Sequence, residues 1–167
     1  MVSDSFRGVP VDVIADSGLP FSDTYTECQQ SDGGALRGVI DFNFRKHPSL
    51  RIAMISRTED EVMRLFYSGG TNNCQNFETL DPVTLVLGHL IDPTNMYPAT
   101  MYSDAVADAR DRLAARYAFA SFVIGAPNQN YHQIMFRPDF YTLTRNSITP
   151  AQFVTDFIRG KLYQVAP

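Results

Sequence analysis

Two short motifs fix where helices can begin in this chain. In Asp81-Pro82 and again in Thr149-Pro150, a side-chain oxygen suited to accept a helix-end amide precedes a proline. Proline lacks an N–H, which costs nothing in a first helical turn, so each pair predicts a helix start. The first opens the apolar run Val83 to Ile91, which stops at Asp92-Pro93 because the residue before a proline disfavours helical backbone. The second opens a helix with Phe153, Val154, Phe157 and Ile158 as its apolar stripe, ending at Gly160. Between them, Ser103 is placed to cap a further helix in which Val106, Ala109, Leu113, Tyr117 and Ala120 recur at helical spacing.

The segments between these helices read as strands. Ile40, Phe42 and Phe44 alternate with Asp41, Asn43 and Arg45, a period of two that predicts a strand with one buried face. Arg51 to Arg57 and Val62 to Ser68 are β-rich runs joined by Thr58-Glu59-Asp60-Glu61, and they read as a hairpin. Phe119 to Ile124 and Tyr131 to Leu143 flank Gly125-Ala126-Pro127-Asn128-Gln129-Asn130 and read as a second one. Residues 1–35 are rich in Gly and Pro, with room for one strand at Val11 to Ile14. The expected fold is α+β: an antiparallel sheet of about five strands packed against two or three helices. It forms a single domain over residues 1–167, with an extended, turn-rich segment at 1–35 and the core at 36–163.

Charge and cysteine usage narrow the function classes. Eighteen acidic against fourteen basic residues give a net charge of −4, which argues against non-specific binding to nucleic acid or an anionic membrane and favours a partner with a basic surface. Apolar stretches such as Ala118 to Ala126 are far shorter than the ~20 residues of a membrane span. Met1-Val2-Ser3-Asp4 lacks the basic and apolar regions of a signal peptide, so the expected compartment is the cytoplasm. The two cysteines, Cys28 and Cys74, suit either free thiols or one bridge.

Candidate chemistry is sparse. Cys74 follows Gly69-Gly70-Thr71-Asn72-Asn73, where loop amides and an approaching His89 or His132 would favour a thiolate, whereas Cys28 follows Glu27, which opposes one. The plain alternative is a loop thiol without a role. His47, His89 and His132 lack the paired spacings of a zinc site, the cysteines form no Cys-x-x-Cys, and no metal is expected. Neither a nucleophile elbow nor a phosphate-cradling glycine motif occurs, so no cofactor is expected. Basic residues concentrate at Arg45, Lys46, Arg51, Arg57 and Arg64, near Phe42, Phe44 and Phe66, in the manner of sheets that stack single-stranded RNA bases. Since Phe42 and Phe44 share a strand face with Ile40, the simpler reading makes those rings core.

The layout from Leu36 onward runs through the Arg51 to Ser68 hairpin, a helix, Phe119 to Leu143 and the helix opened by Thr149-Pro150. It resembles the type III secretion chaperone and YbjN-type family. The succession from Tyr117-Ala118-Phe119-Ala120-Ser121-Phe122-Val123 through Ile134 to Leu143 to Ile148-Thr149-Pro150-Ala151-Gln152-Phe153 is similar to that family's closing strand-strand-helix. The resemblance implies a small acidic protein, generally dimeric, that holds other polypeptides and carries no catalytic residues. The expected function is thus a non-catalytic protein-binding or chaperone-like module, with a homodimer possible. The alternatives are a small enzyme or ligand-binding protein with a pocket between sheet and helices, and an RNA-binding sheet.

Overall fold

The computed structural model describes residues 9–16, 42–68, 99–125 and 132–166. The helix expected after Asp81-Pro82, together with Cys28, Cys74 and His89, lies outside the described residues.

The central strands explain the architecture. In β2 (Arg51–Arg57) and β3 (Phe119–Ile124) nearly every residue is buried. A strand without polar alternation has both faces covered, which is the habit of parallel sheets rather than of sheets with one wet face. Accordingly, β1 (Asp12–Asp16), β2, β3 and β4 (Gln164–Val165) form one sheet in sequential order, and every pairing is parallel. This overturns the antiparallel α+β expectation. Adjacent parallel strands cannot be joined by hairpins, because the chain must return to the same end of the sheet through a crossover.

The helices supply those crossovers. Residues 42–46 form α1, Glu61–Ser68 α2, Ala99–Ala114 α3, Asp139–Thr142 α4 and Pro150–Ile158 α5. Successive side chains of β2 point to opposite faces. Ile52 and Met54 join a cluster with Phe44, Tyr102, Val106 and Leu113, whereas Ala53 and Ile55 join Phe122, Ile134, Phe153 and Phe157. The sheet is therefore covered on both sides, by α1 and α3 on one and by α4 and α5 on the other.

Three predicted strands take other forms, each for a local reason. Residues 42–46 are helical because Asn43 and Phe44, adjacent in sequence, are both buried while Phe42 is exposed, a pattern that fits one helical turn. Phe44 stacks on Tyr117, with 4.2 Å between ring centroids, and Lys46 lies over the Phe42 ring one turn back. Residues 61–68 are helical because Asp60 acts as their cap: its side chain accepts the Met63 amide at 2.9 Å and its carbonyl accepts that of Arg64. Residues 132–138 form bends and turns, and α4 follows them. In α3 the helix starts at Ala99, so Ser103 sits inside it rather than capping it.

Thr149-Pro150 behaves as its sequence predicts. The Thr149 hydroxyl accepts the Gln152 amide at 3.1 Å, and Pro150 occupies the first turn. At the far end, Gly160 adopts φ +92° and donates to the Phe157 carbonyl, a left-handed turn that glycine adopts without steric cost.

Asp156 organises this end of α5. It accepts hydrogen bonds from Lys161 Nζ, Gln152 Nε2 and Tyr163 Oη at 2.9, 3.0 and 3.1 Å. The Lys161 hydrogen bond, helped by Tyr163 and Gln152, holds the Asp156 carboxyl below its usual range against the opposing effect of burial. Tyr163 is pushed up to about 12, first by burial and then by the hydrogen bond and charge of Asp156. A tyrosine whose folded pKa exceeds the unfolded value of about 10 stabilises the fold fully below that pH and loses its contribution as pH rises through the folded value. Tyr163→Phe is expected to cost about 1 kcal/mol at neutral pH. It should also flatten the loss of stability between about pH 10 and about pH 12, read by urea titration across that range. An unchanged alkaline profile would show that Tyr163 is not the group responsible.

Candidate functional site

In open parallel α/β sheets, loops leaving the carboxyl ends of the strands form the surface where ligands bind. At the opposite, amino edge Arg51 forms a bidentate ion pair with its register partner Asp12, and its guanidinium lies 5.2 Å from the centre of the Phe157 ring. The ionisable residues at the carboxyl edge come from several elements. Asp16 ends β1, Arg57 ends β2, Asp60 caps α2, and the segment 132–139 brings in His132 and Asp139.

Two carboxylates fasten that segment. Asp16 accepts the Ile134 amide with one oxygen at 3.0 Å and the Met135 amide with the other at 2.8 Å. Asp60, with 0% of its surface exposed, faces His132, whose Nδ1 lies 3.3 and 3.2 Å from the two carboxylate oxygens. An ionised carboxylate can only accept, so an ionised Asp60 pairs with the form of His132 that carries a proton on Nδ1. The His132 side chain keeps 27% of its surface exposed, so the imidazole bridges interior and solvent.

Arg57 is the cation of this edge. Its side chain is 3% exposed and its Nη2 lies 3.6 Å from Asp139 Oδ2. A guanidinium this deep requires a carboxylate within reach, since taking either charge alone out of water is costly. Beside it, Thr58 donates its backbone amide to Ile124 at 3.0 Å, holding the turn after β2 against the end of β3. A cleft of about 210 Å³ opens there, lined by Thr58, Ser103, Val106, Ala107, Arg110 and Val123.

Of the residues singled out from sequence, the structure places His132 in this constellation, against the buried Asp60 carboxylate, and Arg57 as the buried ion-pair partner of Asp139. Arg45 is exposed on α1, Arg64 is half-buried on α2, and Arg51 occupies the opposite edge. Arg57, being buried, adds no charge to a surface with them, and both faces of the sheet are covered. Asp16, Thr58, Asp60, Ser103, Arg110 and Asp139 escaped sequence reasoning. Three of them carried a signal: Asp60-Glu61 before an apolar run is a helix start, and Ser103 and Arg110 lie seven residues apart, on one helical face.

Among the described residues, no group of three or more His, Cys, Asp or Glu side chains is arranged to hold a metal ion, and no helix is long and apolar enough to cross a membrane. No protein-family model, curated protein or solved structure matches the chain, so its functional reading stands on the chemistry of its own residues.

Proposed function

We propose that the chain is a small-molecule-binding α/β protein whose ligand sits over the carboxyl edge of the sheet, with His132 as its proton-transferring group and Asp60 as the residue that positions it. The observation that carries this reading is the wholly buried Asp60 carboxylate facing the partly exposed His132 imidazole, at the edge where parallel sheets bind ligands. A buried acid that orients an imidazole through Nδ1 is how a histidine is held in one tautomer for acid–base work.

The test is a thermal-shift screen of small polar metabolites against the wild-type chain, His132→Gln and Asp60→Asn. At least one compound is expected to raise the wild-type midpoint, with affinity reduced about tenfold or more in His132→Gln, equivalent to about 1.4 kcal/mol. Imidazole ¹⁵N shifts provide a readout that a merely structural role would not move. They should report an Nδ1–H tautomer for His132 in the wild type and lose that preference in Asp60→Asn. A ligand that binds His132→Gln as tightly as wild type, or an Nε2–H tautomer in the wild type, would overturn the assignment.

A second reading, a protein-binding and chaperone-like module, is favoured by one observation: Phe136, within the segment that carries His132, and Tyr141, just after it, are 84% and 71% exposed. Large rings held in water are a cost that a docking partner removes. A screen in which no compound stabilises the chain would shift the balance to this reading.

A further inference from the structure

We infer that the cleft between α3 and the turn after β2 binds a phosphoryl group, free or as the end of a small phosphorylated ligand. The cleft is a second site at the carboxyl edge, beyond the reading above: its lining is a separate set from Asp60 and His132, and its floor residues Val106 and Val123 belong to the cluster on the α3 face of the sheet.

The floor of the cleft is apolar and its rim is polar. Val106 and Val123 are 3% and 2% exposed and belong to the core, while Ala107 is small and leaves room above them. Ser103, Ala107 and Arg110 follow one another at spacings of four and three along α3, so they share one face of the helix, and Thr58 lines the same cleft. Two residues with hydroxyls and one with a guanidinium therefore line one small volume. Hydroxyls can donate and a guanidinium only donates, so the set suits an acceptor-rich anion. At about 210 Å³ the space is below the ~300 Å³ at which drug-sized pockets begin, and it fits a single tetrahedral oxyanion or the end of a longer molecule.

Arg110 is restrained but available. Its side chain is 19% exposed and its Nε donates to Asp111 at 2.6 Å, and Asp111, 68% exposed, is held below its usual carboxyl range by that hydrogen bond. An exposed pair of neighbouring residues is weakly held, so an incoming phosphate competes readily with Asp111. A tetrahedral anion presents several acceptors at once, where a planar carboxylate presents two.

The experiment is isothermal titration of inorganic phosphate into the full chain at constant ionic strength, with acetate and chloride as comparison anions. Wild type should bind phosphate in preference to both. Arg110→Gln should weaken binding more than tenfold, Ser103→Ala and Thr58→Val by severalfold each, and His132→Gln should leave phosphate binding within about twofold of wild type. The unfolding midpoint of each variant without phosphate controls for folding. Equal responses to phosphate, acetate and chloride would reduce the effect to unselective anion binding and overturn the inference, as would phosphate binding that survives Arg110→Gln or is absent from the wild type. A His132→Gln variant that loses ligands from the metabolite screen yet keeps phosphate would separate the two assignments.

Discussion

Phe153→Ala is expected to lower the free energy of unfolding by about 3–5 kcal/mol, a large fraction of the ~5–15 kcal/mol that holds a typical domain together. Phe153 has no exposed surface, and its ring packs 5.6 Å from those of both Phe122 and Tyr163. It thereby joins α5 to β3 and to the segment leading into β4. Removing the ring loses apolar burial and leaves a cavity that the surrounding strands, paired on both sides, cannot close. The midpoint of thermal unfolding should fall by roughly 6–20 °C. Phe153→Leu, which refills most of the volume, should recover much of the loss. A fall of less than about 1 kcal/mol for the alanine variant would mean that this side of the sheet repacks freely.

Asp16→Ala should be the second most damaging change, at about 2–4 kcal/mol, since two backbone amides lose a charged acceptor together. Its effect should be local as well as global. The amides of Ile134 and Met135 are expected to exchange with solvent faster than in wild type, while those of β2 and β3 keep their relative protection. Asp16→Asn retains one acceptor oxygen and should cost about half as much. If exchange at Ile134 and Met135 is unchanged in Asp16→Ala, the segment is held by other contacts. Because that segment also carries His132, loss of Asp16 should weaken any ligand that depends on the imidazole, although Asp16 stands on a different element from Asp60.

How much of the fold is legible in the sequence depends on which residues carry the information. The strands Arg51–Arg57 and Phe119–Ile124 can be read directly, as can the Thr149-Pro150 helix, because each is specified by residues within a few positions of one another. Strand direction is harder. The unbroken apolar run Ile52-Ala53-Met54-Ile55 holds the sign of a parallel strand, yet the nearness of Val62 to Ser68 suggests a hairpin, and the N-cap Asp60 passes for a turn residue. Alternation over Ile40 to Phe44 is too short to separate a strand from one helical turn. β4 spans Gln164–Val165, too little chain for any period to show.

The site is least legible of all. Asp16 and Asp139 are isolated carboxylates in sequence and Asp60 is one of three in a row, and parallel crossovers bring them to one edge from far-separated segments. Arg57 looks like part of a basic surface because Arg51 lies near it in sequence. A seven-residue strand instead sets them about 20 Å apart, at opposite edges of the sheet.

The brevity of β4 has a consequence for how the molecule behaves in crowded solution. A long outer strand leaves a row of unpaired amides and carbonyls on which another chain can template itself. Here the outer position beside β3 is taken by Gln164 and Val165, and Gln164 folds its side chain back, accepting from the Ser121 hydroxyl and donating to the Phe119 carbonyl at 3.0 Å. The flank of the sheet that carries its two most apolar strands thus ends in a stub that turns its own polar groups inward, leaving little ladder for a neighbour to extend.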